Sequence, residues 1–210
     1  SLCRVVEHVY DPIPDADGDG LPEPCTTTIE RTLGLETART YEIEWSQPVT
    51  LGGDVCKRRS NITCLVAGAA WDATANLVTE SLRHASDAFA GRMRRVINPD
   101  GTATLTTHVS DAVGVLTTTV KTGQPNAPRD DIVDGRRAVT VLDEKGRLKS
   151  EQVVDLESGL SLSRSVATQF DFLGRPTRLE FDDGTFLARN YACCGLASER
   201  DRFGVVTNYG

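Results

Sequence analysis

Asp15-Ala16-Asp17-Gly18-Asp19-Gly20-Leu21-Pro22-Glu23 carries the strongest chemistry in this sequence. Asp15, Asp17 and Asp19 place carboxylates at alternate positions of a loop, where they can converge on one hard cation, and Gly20 permits the sharp turn that this requires. Leu21 would add a backbone carbonyl oxygen. Asp11 or Glu23 would complete six or seven oxygens, the coordination that Ca2+ takes. The competing reading is a solvated acidic turn, which the D-x-D-x-D-G order disfavours.

The cysteines form a second constellation. Six of them, without zinc-type spacing, point to an oxidising compartment. Cys3 and Cys25 bracket a loop, Cys56 and Cys64 stand close in the chain, and Cys193 and Cys194 are adjacent. Six cysteines leave many connectivities open. We expect Cys3–Cys25 and Cys56–Cys64 bonds, with Cys193–Cys194 either a vicinal disulfide or two buried thiols. Asn61-Ile62-Thr63 matches the N-glycosylation pattern, on what reads as a loop between two cysteines.

Catalytic chemistry is poorly supplied. His8, His84 and His108 are the histidines, and none comes with a nucleophile elbow. His84 has Ser81, Ser86 and Asp87 near it in the chain, which is not a triad. The pairs Asp130-Asp131 and Asp182-Asp183 would serve a carbohydrate-active enzyme only by facing each other across a cleft about 5–10 Å wide. Both pairs sit where turns are expected, so no catalytic residue is assigned and a non-enzymatic protein is the leading reading.

The elements that must position these residues are strands. Thr102–Val109, Val115–Val120, Ala138–Leu142 and Arg178–Phe181 alternate β-branched or apolar residues with polar ones, between Gly, Asp, Asn and Pro. One stretch competes: Leu82, Ala85, Phe89, Met93 and Val96 fall at helical spacing over Glu80–Val96, although Gly91 weakens a helix there. The fold class is therefore all-β, consecutive antiparallel hairpins of a repeat sheet that forms an open or partial shell, with at most one short helix. Gly123–Asp131, with two prolines, reads as a linker or a long surface loop. Segments 1–64, 65–125 and 126–210 divide the chain, or form one continuous β domain.

The turns repeat. Asp143-Glu144-Lys145-Gly146-Arg147 returns as Asp171-Phe172-Leu173-Gly174-Arg175, and Asp111-Ala112-Val113-Gly114-Val115 as Asp201-Arg202-Phe203-Gly204-Val205. Asp100-Gly101-Thr102 returns as Asp183-Gly184-Thr185. Trp71-Asp72-Ala73-Thr74-Ala75 looks like a degenerate copy. Asp at the head of such a turn accepts backbone N–H groups two or three residues on, and Gly supplies positive φ. Hairpins repeated this way bury no face alone and must stack on neighbours.

These turns, with returns such as Arg189-Asn190-Tyr191, resemble the YD/RHS repeat family of bacterial Rhs and toxin-complex shells and teneurin ectodomains. The likeness is good over residues 98–210, weaker over 65–97 and nearly absent before. Where the family shows Tyr-Asp, this chain has Phe170-Asp171, Leu142-Asp143 and Trp71-Asp72; Tyr10-Asp11 alone is literal. The resemblance implies a spiralling antiparallel β-ribbon that acts as scaffold, adhesive surface or toxin-encapsulating shell, without catalysis of its own. The acidic loop resembles the calcium loops of thrombospondin type 3 and dockerin-like repeats. It departs from the EF-hand, because position twelve is Thr26.

A net charge of −7 argues against a nucleic-acid partner, and no apolar stretch approaches a membrane span. The chain opens at Ser1 in strand-like sequence and reads as a piece of something longer. An extracellular or cell-surface setting is expected. Partners would be other copies or the rest of a parent chain, paired through the Val5–Val9 or Val205–Tyr209 edge strands, with surface glycans or proteins as further ligands.

Overall fold

The computed structural model describes residues 4–209, which form sixteen β-strands with no helix among the described residues. The first eight are β1 (Arg4–Tyr10), β2 (Cys25–Thr32), β3 (Leu35–Glu44), β4 (Val49–Leu51), β5 (Asp54–Thr63), β6 (Leu77–His84), β7 (Met93–Ile97) and β8 (Ala103–Ser110). Then follow β9 (Leu116–Pro125), β10 (Ile132–Leu142), β11 (Leu148–Asp155), β12 (Ser161–Phe170), β13 (Pro176–Phe181), β14 (Phe186–Tyr191), β15 (Leu196–Arg200) and β16 (Val206–Asn208). Neighbours in the chain are neighbours in one antiparallel sheet, except that β4 leaves the path and pairs only with β5. β1 and β16 are the two ends of this order, so the sheet is open.

The stripe over Glu80–Val96 makes no helix. It is the end of β6, a turn through Gly91 at φ 79°, and the start of β7. Leu82 and His84 are buried with exposed Arg83 between them, so the two-residue strand period wins over a loose helical one. Gly123–Asp131 is not a linker either. β9 runs on through Pro125, and Asn126 organises the turn into β10 by accepting the N–H groups of Asp130 and Asp131 at 3.0 and 3.1 Å.

Contacts gather the chain into two units, Ser1–Leu105 with Gln124–Asp131, and Thr106–Gly123 with Ile132–Gly210. The division falls inside β8 and again inside β9, where Gln124–Asp131 returns to the first unit. The first unit has a compact core of Ile13, Cys25, Tyr41, Ile43 and Ile62, with Trp45, Cys64 and Trp71 packed against it. Ile43 is fully buried, a contribution of about 1.5–3 kcal/mol from its side chain alone.

The second unit is a repeat structure. Its buried hydrophobics, among the described residues, are Ile132, Val154, Ala167 and Leu179. Polar and cationic contacts carry much of the rest. In each Asp-x-x-Gly turn one Asp oxygen accepts the N–H groups two and four residues on: Val113 and Val115 at Asp111, Lys145 and Arg147 at Asp143, Leu173 and Arg175 at Asp171, Phe203 and Val205 at Asp201. The second acceptance is thus one residue later than the sequence predicts. In the Asp-Gly-Thr turns, Asp100 and Asp183 accept both the N–H and the hydroxyl of the Thr two residues on.

Where Arg follows the turn glycine, it bonds back to the Asp: Arg147 Nε to Asp143 at 2.6 Å and Arg175 Nε to Asp171 at 2.7 Å. That hydrogen bond holds the Asp143 carboxyl down at about 2. The same guanidinium lies over an aromatic ring of a later strand, Arg147 over Phe170 at 4.7 Å and Arg175 over Tyr191 at 4.2 Å from the ring centre. Each turn therefore grips the strand that precedes the next turn. The Phe of Phe170-Asp171 has a stated job: it receives the cation of the previous repeat.

Candidate metal centre

The loop between β1 and β2 is closed at its base before it turns. Ile13 and Glu23 exchange both backbone hydrogen bonds at 3.0 Å, and the Asp11 N–H reaches the Cys25 carbonyl at 3.1 Å. Ile13 is buried in the core of the first unit, which anchors the loop to the sheet. Inside the closed base, backbone N–H groups aim the carboxylates. Gly18 and Gly20 donate to the two oxygens of Asp15 at 2.7 and 2.9 Å, and Leu21 donates to Asp19 at 2.8 Å. Gln47, from the link between β3 and β4, donates to Asp17 at 3.1 Å.

Glu23 completes the group. Its side chain has no exposed surface. Oε2 accepts the N–H and the hydroxyl of Ser46 at 2.7 and 3.0 Å, while Oε1 is buried with no hydrogen-bond partner. Asp15, Asp17, Asp19 and Glu23 each offer an oxygen, and the four lie within 4.8 Å of one another. A buried carboxylate oxygen without a donor costs free energy. Like charges this close also repel. One divalent cation at their centre would relieve both costs, and an all-oxygen donor set suits a hard ion. The residues present thus fit Ca2+. Asp11 is not among the grouped carboxylates; its backbone N–H bonds the Cys25 carbonyl. Leu21 is seen here as an N–H donor to Asp19.

A second cluster escaped the sequence. Asp54, His84 and Asp87 bring donor atoms within 4.8 Å of one another, from the start of β5, the end of β6 and the turn after it. His84 Nδ1 lies 3.2 Å from Asp87, whose φ is 124°. Arg94 already supplies a cation there, with Nε 2.8 Å from Asp54. Beside it runs a groove of about 540 Å³ lined by Trp45, Arg58, His84 and the β3–β4 link, in which Arg58 stacks on Trp45 at 3.9 Å. His8 and His108 each meet a cross-strand threonine, Thr28 at 3.0 Å and Thr118 at 3.1 Å. Ser81 gives its hydroxyl to the Arg59 carbonyl rather than to His84.

The cysteine expectations change. Cys25, Cys56, Cys64, Cys193 and Cys194 are free thiols. Cys3 lies outside the described residues. Cys56 and Cys64 cannot pair, because β5 runs unbroken between them and separates their Cα atoms by about 25 Å, against about 7 Å at most for a disulfide. Cys193 and Cys194 are exposed, not buried. Asn61 sits exposed in β5, opposite Glu42 and Thr79, rather than in a loop.

The paired carboxylates serve turns. Asp130 accepts from Asn126 at 2.6 Å, Asp183 accepts from Thr185 and pairs with Arg202, and exposed Asp182 lies 3.8 Å from Arg164. Set against known proteins, the chain matches no family model and no curated protein.

Proposed function

We propose that this chain is a non-enzymatic, extracellular or cell-surface β-repeat scaffold of the YD/RHS kind, whose β1–β2 loop is fixed by Ca2+. The observation that carries the calcium half is the Glu23 carboxylate, fully buried, with Oε1 unpartnered, grouped with three aimed carboxylates. Calorimetric titration of the chain with CaCl2 tests it. A single saturable site is expected, bound more weakly by Mg2+ because the smaller ion demands a tighter octahedron. No heat above dilution, or binding undiminished in an Asp15→Asn/Asp17→Asn variant, would sink the reading.

The scaffold half rests on the ends of the sheet. Among the described residues β1 pairs only with β2, and β16 only with β15, leaving one side of each without a strand partner. Val5, Val6 and Val206 are about half exposed there. Such edges template another strand, so the partner is a second copy or further chain of the same repeat type. Light scattering should show mass rising with concentration. A strict monomer at high concentration, with β1 and β16 amides protected from exchange, counts against it.

A further inference from the structure

Cys193 and Cys194 lie in the short link between β14 and β15, both exposed, with their Sγ atoms 3.1 Å apart. The link is pinned by the Ala192 N–H bonding the Gly195 carbonyl at 2.9 Å, and the β14–β15 register shifts beside it at Asn190/Tyr191. Accessibility separates these thiols from the other described ones. Cys25 and Cys56 are fully buried and Cys64 is half-buried, and burial pushes all three thiols up; the Cys194 thiol is pushed up as well, by its hydrogen bond with Cys193, so access rather than acidity sets the pair apart. A reagent in solution therefore meets a contacting pair, not isolated thiols.

We propose that Cys193-Cys194 is a modification site for small-molecule disulfides, which convert the exposed dithiol into a vicinal protein disulfide. The chemistry takes two exchange steps. The thiolate of one cysteine attacks R–S–S–R, forming a protein–S–S–R bond and expelling RS⁻, which takes up the proton the thiol gave to solvent. The second cysteine, as thiolate, attacks the protein-side sulfur of that mixed disulfide. The Cys193–Cys194 bond forms and a second RS⁻ leaves. Two protein thiols are oxidised and one reagent disulfide is reduced to two thiols.

The geometry favours the second step over accumulation of the mixed disulfide. The resolving sulfur already touches the attacked one at 3.1 Å, and closing to a bond of about 2.0 Å also distorts the intervening peptide, because adjacent Cα atoms at about 3.8 Å lie nearer than a disulfide usually takes. Rates of exchange depend on access as well as on thiolate character. Reactants held in contact also react as if highly concentrated. With an ordinary isolated thiol, by contrast, the mixed disulfide is the end product.

The test uses the intact, native chain and dithiobis(nitrobenzoate) as the disulfide, with a Cys193→Ser/Cys194→Ser double variant as background. Wild type should release two thionitrobenzoate anions per chain above that background. Mass spectrometry of its 193–194 peptide should show loss of two hydrogens and no retained reagent. Cys193→Ser and Cys194→Ser should each release one anion and keep one thionitrobenzoate on the remaining cysteine. Wild-type chain that retains reagent on either cysteine, or reacts no further than the double variant, overturns the proposal. The wild-type mass decides the matter even where a serine variant folds poorly.

Discussion

Saturating calcium is expected to raise the melting temperature of the first unit by about 5–10 °C, and Glu23→Gln to remove most of that rise. An ion at a hundredfold excess over its Kd stabilises the state that binds it by about 2.7 kcal/mol, and each kcal/mol moves Tm by about 2–4 °C in a chain of this size. The binding state must be the folded one, because its four carboxylates come from a loop closed by the Ile13–Glu23 bridge. Trp45 and Trp71 are the chain's two tryptophans, and both belong to this unit, so their fluorescence reports its unfolding. Their rings meet edge-to-face at 6.5 Å in the same cluster that buries Ile13.

The Gln variant gives the argument its sign. Without metal, Gln keeps an oxygen for Ser46 and removes one of four crowded negative charges, so in EDTA it should melt no lower than wild type. With metal, it has lost a charged oxygen donor, so wild type should overtake it. Equal calcium-induced shifts in the two proteins would show that Glu23 is not a ligand. No shift in wild type would remove the centre altogether.

What the sequence made legible, and what it hid, follows the range of the interactions. Asp15, Asp17, Asp19 and Glu23 stand within nine residues, so their convergence is a local property of the loop. The choice between Asp11 and Glu23 is not local. Glu23 is fixed by Ser46, from the β3–β4 link, which the sequence around the loop does not reveal. The Asp-x-x-Gly turns were legible for the same local reason, but the seats of Arg147 on Phe170 and Arg175 on Tyr191 join different repeats.

Cys56 and Cys64 misled through composition. The Asn61-Ile62-Thr63 segment reads as a loop between them. In β5, though, Arg58 shares the face of buried Cys56, Ser60 and Ile62, and Trp45 covers its guanidinium. The Asp54, His84 and Asp87 group likewise depends on strand pairing, which places Cys56 opposite His84. No short-range pattern encodes it.

Gly135→Ala should, with Gly123→Ala, be among the most damaging single substitutions in the second unit, costing about 3–5 kcal/mol or preventing β9 and β10 from pairing. Gly123 and Gly135 face each other in these adjacent strands, with φ of 149° and 138°. A Cβ on Gly135 would lie 2.1 Å from the Thr122 carbonyl oxygen and 2.8 Å from the Gly123 Cα. One on Gly123 would lie 2.0 Å from the Asp134 carbonyl oxygen. These are backbone atoms, so no rotamer change relieves the clash, and the strands must separate. Separation also disturbs β11, because the Gly135 carbonyl accepts the Leu156 N–H at 2.8 Å. Strained φ costs about 1–3 kcal/mol, and overpacking adds about the same again. Gly146→Ala is the control, with positive φ at 75° but nothing within 4 Å of the added methyl. It bears the conformational cost alone, about 1–2 kcal/mol. Urea unfolding of the two variants, with hydrogen exchange of the β9 and β10 amides, measures the difference. If Gly135→Ala costs no more than Gly146→Ala, the two backbones do not approach as closely as the paired glycines require.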